Sequence, residues 1–201
     1  MPEVSAMKKR AVFLDRDGNI NRDVGYPGSY DLIDIYPFSF EAVRKINRAG
    51  MLAVVITNQS GVGRGLIQED VLKTMHEKLQ QDFIRKNARL DGIYYCPHYA
   101  ESGDPRYRRE CFCRKPNPGM ALQAESELNI DLSGSYMIGD KVEDIEFGKN
   151  IHATPILVLT GYGKKSLEKI KNSTFRPAYT AQNLLDAVNW IMKKESSSSG
   201  G

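Results

Sequence analysis

The sequence predicts an α/β domain built on a doubly wound parallel sheet, and three observations carry that prediction. Five short runs, Ala11 to Leu14, Leu52 to Ile56, Gly92 to Tyr95, Tyr136 to Ile138 and Ile156 to Leu159, are largely apolar, as strands buried on both faces must be. Between them lie longer segments whose apolar residues recur roughly every three to four positions, the spacing of one helix face. A chain of 201 residues suits one such domain with a continuous core and is too short to expect two.

The first strand is followed by Phe40, Val43, Ile46 and Ala49 on one helical face, closed by Gly50 just beyond the helix end. With Leu52 to Ile56 this makes a βαβ unit. Val71, Leu72, Met75, Leu79 and Phe83 mark the next helix, whose first turn carries Glu69 and Asp70 where they complement the helix dipole. A third strand starts near Asp91. Pro118 to Leu128 opens on a proline suited to a first helical position, and Val142 to Asn150 is a short helix before the fifth strand. Leu184, Leu185, Val188, Trp190 and Ile191 space as the buried face of a closing helix, so Trp190 is assigned to core packing. The domain is expected over residues 1–194. Residues 195–201 are Ser and Gly after the leading Glu, too poor in apolar surface to offset chain entropy, and are expected to be disordered.

The 28 basic and 25 acidic residues leave a formal charge of +3 at pH 7 with no long run of Lys or Arg, so bulk charge gives no support to nucleic-acid binding. No apolar run approaches the roughly 20 residues that cross a bilayer, and the segment before Ala11 lacks the apolar centre of a signal peptide. A monomeric, cytoplasmic protein with no membrane partner is the expectation.

Ligands of open parallel sheets sit beyond the carboxyl ends of the strands, which singles out Asp15, Thr57, Cys96 and Asp140. The first strand runs into Asp15-Arg16-Asp17-Gly18-Asn19, two carboxylates two residues apart with a glycine for the turn. One carboxylate can attack while the other handles a proton. Attack on a phosphorus requires the negative charges to be offset by a hard cation with oxygen ligands. Asp15, the backbone carbonyl of Asp17 and Asp140 make a plausible magnesium shell with a phosphate oxygen and waters, and Asp144, one helical turn on, can support it.

The ordered set Asp15-x-Asp17-Gly18, Thr57, Lys115 and Asp140 resembles the haloacid dehalogenase superfamily of phosphohydrolases over roughly residues 8–165. The resemblance implies that superfamily's Rossmann-like fold, with Asp15 as nucleophile and Asp17 as general acid and then general base. It assigns Thr57 to holding the transferring phosphoryl group, Lys115 to neutralising charge and Asp140 to the metal. Asn19 stands where many relatives carry Thr. The connection from the second strand to Asp140 leaves no room for a large cap domain.

Cys96-Pro97-His98 and Cys111-Phe112-Cys113 place every cysteine of the chain and one imidazole in eighteen residues, a tetrahedral set suited to zinc. Four protein ligands leave no position for water, so this is a structural site that pins the loop 96–113. These motifs, with Arg114-Lys115-Pro116-Asn117-Pro118-Gly119-Met120 after them, resemble the zinc-containing heptose bisphosphate phosphatases; histidinol-phosphate phosphatases share the plan. Asn21, Asp23 to Tyr26 and Gly61 to Gly65 look closer to the heptose enzymes. That resemblance implies hydrolysis of D-glycero-D-manno-heptose 1,7-bisphosphate at C7, in the supply of lipopolysaccharide or surface-glycan precursors. It implies a substrate pocket lined by Asp23, Val24, Gly25, Tyr26, Thr57, Asn58, Gln59, Ser60, Lys115 and Lys141, with Arg114 gripping the second phosphate. Alternatives are histidinol-phosphate hydrolysis, phosphoryl transfer to an acceptor other than water, and a non-catalytic zinc-bearing binding module. His76 and His152 have no partners at ligand spacing and are assigned to solvated or capping roles, and Glu143 is assigned to a solvated helix charge.

Overall fold

The computed structural model describes residues 7–171 and 173–198. Among these residues six strands, β1 (Lys9–Leu14), β2 (Leu52–Asn58), β3 (Gly92–Cys96), β4 (Ile130–Gly139), β5 (Thr154–Val158) and β6 (Tyr179–Ala181), pair in parallel in the order β3-β2-β1-β4-β5-β6. The helices are α1 (Pro37–Arg48), α2 (Ser60–Gly63), α3 (Glu69–Arg85), α4 (Gly119–Leu128), α5 (Val142–Asn150), α6 (Gly163–Ile170) and α7 (Leu184–Ser198).

The apolar runs become strands buried on both faces because successive side chains point to opposite sides. Val12 and Leu14, with Ala53, Val55, Ile138 and Ile156, pack against Val43 and Ile46 of α1, Leu79 and Phe83 of α3 and Val188 and Ile191 of α7. Ala11 and Phe13, with Val54, Ile56 and Met137, pack against Met120 and Ala124 of α4 and Phe147 of α5. The chain steps outward from β1 to β2 and β3, then crosses back to lay β4 on the other side of β1. That reversal opens a crevice at the carboxyl ends of β1 and β4, where Asp15 and Asp140 stand.

Several boundaries differ from those expected. β4 begins at Ile130 rather than Tyr136; its first half alternates Ile130 and Leu132 with Asp131 and Ser133 and pairs with the exposed Lys9 and Arg10. The β1–β4 register shifts between Arg10 and Val12, and Ser135 Oγ accepts the Ala11 N–H at 2.9 Å. Two apolar residues interrupted by Asp131, Ser133 and Gly134 do not form the continuous apolar run by which the other strands are read. α6 and the three-residue edge strand β6 are likewise too short in apolar content to announce themselves, and α4 starts one residue later than expected, with Pro118 as its N-cap. Trp190 stacks on Tyr179 of β6, ring centroids 5.1 Å apart, as core packing requires. The disorder expected from residue 195 is corrected for residues 195–198, which continue α7. Glu195 accepts from Tyr136 Oη at 2.5 Å and pairs with Arg10, an anchor that composition does not reveal. Residues 199–201 lie outside the described residues.

Candidate active site

β1 delivers Asp15 to the crevice by keeping its pairing to the last residue: the Asp15 N–H donates to Ile138 of β4 at 3.0 Å. The chain then turns sharply through Gly18, at φ +84°, where a Cβ would stand 2.2 Å from Asp140 Oδ2. Gly161, at φ +53°, closes the other side; its Cβ would lie 2.1 Å from the same oxygen. These two glycines let the backbone wrap Asp140 at close range. Asn19 does the work of tying β1 to β4, its amide donating to the Asp15 and Ile138 carbonyls at 3.1 Å each.

Asp15, Asp140 and Asp144 are all buried and offer oxygens within 4.8 Å of one another. Lys115 Nζ lies between two of them, 2.9 Å from Asp15 and 2.5 Å from Asp144. Two ammonium groups, Lys115 in contact and Lys141 nearby, against three carboxylates leave the cluster short of positive charge. Burial pushes the Asp15 carboxyl up, against the opposing charge of Lys115. Burial, with the charges of Asp15 and Asp144, pushes Asp140 up to about 8. Asp140 Oδ2 accepts the Tyr162 N–H at 2.6 Å, whereas Asp140 Oδ1 is buried without a hydrogen-bond partner. An orphaned carboxylate oxygen in an acidic, oxygen-rich cluster fits a hard divalent cation. The other oxygen of Asp144 accepts the Lys141 N–H at 2.9 Å.

Motif residues on β2 complete the wall. Asn58 takes the Lys115 N–H at 3.0 Å and donates to the Lys115 carbonyl at 3.2 Å, so it holds the Lys115 backbone. Thr57 Oγ accepts from Gln59 Nε2 at 2.8 Å, which leaves its own proton to donate into the cleft.

Asp17 faces the same cleft. Its carboxylate accepts from Arg16 at 2.8–3.2 Å, from Asn21 Nδ2 at 2.9 Å and from Gln59 Nε2 at 2.9 Å. Burial works against the charge, but the Arg16 guanidinium and these donors hold its pKa below the ordinary range. Arg16 is wholly buried and also contacts His76 Nε2 at 2.9 Å. His76 is therefore not the solvated residue expected from its lack of partners. It is 6% exposed, and burial with the neighbouring guanidinium drops its pKa to about 3.

The cleft encloses about 380 Å³, within the range of small-molecule sites. Asp23, Gly25, Tyr26, Ser60, Arg114 and Lys141 line it with Asp15, Asp17, Thr57, Asn58, Gln59, Lys115 and Asp144; Tyr162, unforeseen in the sequence, joins them. Val24 is exposed and is not among the lining residues. Glu143 is exposed as expected and stands at the rim. Burial opposes the Lys141 charge, yet Asp15, Asp140 and Asp23 raise its pKa, so it remains an ammonium.

Beside the cleft, Cys96, His98, Cys111 and Cys113 converge, with Cys111 Sγ 3.3 Å from Cys96 and 3.2 Å from Cys113, and His98 Nδ1 3.2 Å from Cys113. A tetrahedron on 2.3 Å zinc–sulfur bonds has edges of about 3.8 Å, so a slight expansion of this cage admits zinc. The thiol hydrogen bonds push Cys113 down to about 5. Glu69 accepts from Tyr95 Oη at 2.9 Å and Tyr107 Oη at 2.8 Å, and Arg64 lies 3.8 Å over the Tyr99 ring, which seats the loop on the α2–α3 region.

Residues 112–187 match a family model described as "HAD-hyrolase-like". The chain is 46% identical over 154 residues to the D-glycero-beta-D-manno-heptose-1,7-bisphosphate 7-phosphatase of Pasteurella multocida, covering 76% of this chain and 83% of that one. It belongs to the heptose bisphosphate phosphatase family of haloacid dehalogenase-like hydrolases. The Escherichia coli K12 member is 42% identical over 152 residues, 75% of this chain and 80% of its own length. The crystal structure of D,D-heptose 1.7-bisphosphate phosphatase from B. bronchiseptica complexed with magnesium and phosphate superposes with a TM-score of 0.80 at 29% identity, covering 92% of this chain and 99% of that one. The Burkholderia thailandensis enzyme gives 0.67 at 29% identity, with coverage of 92% and 99%. The family's phosphatase fold is thus the frame in which these side chains stand.

Proposed function

We propose that the protein hydrolyses the C7 phosphate of D-glycero-D-manno-heptose 1,7-bisphosphate, leaving heptose 1-phosphate, through an aspartyl-phosphate on Asp15. The observation that carries the mechanism is the position of Lys115 between Asp15 and Asp144, beside the unpartnered oxygen of Asp140. Asp17, held as a carboxylate in the free protein by Arg16, takes up a proton as the negative phosphate enters the cleft beside it; Asp15 then attacks phosphorus as the bond to the C7 oxygen breaks, and Asp17 gives that oxygen its proton. In the second step Asp17 takes a proton from the water that attacks the phosphoryl group, and Asp15 is released. Lys115 and the Thr57 hydroxyl stabilise the charge on the phosphoryl oxygens. Magnesium, held by Asp15, Asp140 and the backbone oxygen of Asp17, would supply the charge that lets an anion approach an anion. Zinc, held by Cys96, His98, Cys111 and Cys113, would fix the loop preceding Arg114 and Lys115.

Arg114 and Lys141 flank the cleft and suit the substrate's second phosphate, Arg114 through its planar fork. Asp23, Gly25, Tyr26 and Ser60 would meet the sugar. The names of the relatives favour the heptose substrate over histidinol phosphate. Among the described residues no helix is long and apolar enough to cross a membrane. The test is kcat/KM for heptose 1,7-bisphosphate and for histidinol phosphate, with magnesium and with chelator. A magnesium-dependent preference for the bisphosphate is expected; preference for histidinol phosphate would overturn the substrate, and equal activity in chelator would overturn the metal's role.

A further inference from the structure

Behind Asp17 lies a buried polar assembly with no part in the chemistry described so far. Arg16 is 0% exposed, yet it sits between the two carboxylates of the first motif. Burying a guanidinium is tolerable only if its donors are matched. Nε and Nη2 lie against Asp17, at 3.2 Å and 3.1 Å from Oδ1 and 2.8 Å from Oδ2, and Nη2 also reaches Gln59 Oε1 at 3.1 Å. Nη1 meets His76 Nε2 at 2.9 Å. An arginine cannot accept a hydrogen bond, so Nε2 is the acceptor and the imidazole is neutral with its proton on Nδ1. Gln59 closes the ring by donating from Nε2 to Asp17 Oδ2 at 2.9 Å.

The assembly fixes a plane. Three donors on two sides of one carboxylate, from Arg16, Gln59 and Asn21, leave it little freedom to rotate. The far end of the guanidinium is held in turn by a histidine on α3, 60 residues away in sequence. His76 is placed on the buried face of α3 with Leu72, Met75, Leu79 and Phe83, so the helix core packing is transmitted to the reacting edge of the sheet. We propose that His76 is a positioning residue: it anchors Arg16, which aims the Asp17 carboxyl at the leaving oxygen. The inference rests on the role of Asp17 given above.

Leaving-group chemistry separates aim from mere packing. A sugar alkoxide departs only with a proton, whereas p-nitrophenolate departs without one. Misaiming Asp17 should therefore cut kcat/KM for heptose 1,7-bisphosphate and spare p-nitrophenyl phosphate. His76→Phe keeps the ring volume and removes the acceptor; His76→Gln places Oε1 where Nε2 stands. The expected result is a loss of about 10- to 100-fold on the bisphosphate in His76→Phe, with p-nitrophenyl phosphate held within about 2-fold and recovery in His76→Gln. Equal losses on both substrates, or none, would overturn the proposal. Should His76→Phe fail to fold, His76→Leu removes the same acceptor with a smaller apolar side chain and must show the same asymmetry. Asp17→Asn is the control. If it lacks the asymmetry, the role of Asp17 fails; if it shows the asymmetry and His76→Phe does not, the clamp alone fails.

Discussion

Acidification from about pH 7.5 to about pH 5.5 should destabilise the fold by about 1.4 kcal/mol through His76 alone. His76 is buried against the Arg16 guanidinium, which drops its pKa from 6.5 to about 3. The folded state therefore keeps the imidazole neutral across this window, while the unfolded chain takes up a proton as the pH passes below about 6.5. The unfolded state binds more protons, so stability is fully present above about pH 6.5 and is lost as the pH falls toward about 3. At about pH 5.5 the unfolded residue is roughly nine-tenths protonated, and one pKa unit is worth about 1.4 kcal/mol. The assay is urea unfolding of the wild type and His76→Gln at both pH values with zinc present, because other titrating groups cancel in the difference. The gap between the two proteins should narrow by about 1.4 kcal/mol at the lower pH. Parallel stability curves would refute the placement of a neutral imidazole against Arg16.

Asp15→Asn should lower kcat by at least about 10³-fold with the far-ultraviolet dichroism unchanged, since it removes the nucleophile and leaves a similar volume. Gly161→Ala places a methyl 2.1 Å from Asp140 Oδ2; weaker magnesium affinity is expected, read as a rise of at least about 10-fold in the metal concentration for half-maximal activity. Removing zinc should free the loop 96–113 before chemistry stops. Limited proteolysis of chelated protein should cut within that loop first, and cutting elsewhere first would contradict its structural role.

The fold was legible because its strands are apolar on both faces. Val12, Val55, Ile138 and Ile156 are buried on one side of the sheet, and Phe13, Val54 and Met137 on the other. Asp15, Thr57 and Asp140 were legible as the residues after those runs, and parallel pairing brings strand ends to one edge. Less visible was what depends on partners distant in sequence. Arg16 gives no hint in the chain that it is buried, because its match is His76 on another element. A signal did exist: position 76 falls at helical spacing with Leu72, Met75 and Leu79, on the face that packs inward. Asn58 lines the cleft, and its amide also holds the Lys115 backbone, a partner 57 residues away that its neighbours in sequence did not announce. The closing helix extends past residue 194 through Glu195, whose pairing with Arg10 and Tyr136 composition could not announce.

The most direct test of the account is to follow the phosphorus resonances of heptose 1,7-bisphosphate during turnover with magnesium. The account predicts that the C7 phosphomonoester signal gives way to inorganic phosphate while the anomeric C1 phosphate persists, and that Asp15→Asn leaves both signals in place. Loss of the anomeric phosphate, or turnover that survives Asp15→Asn, would contradict it.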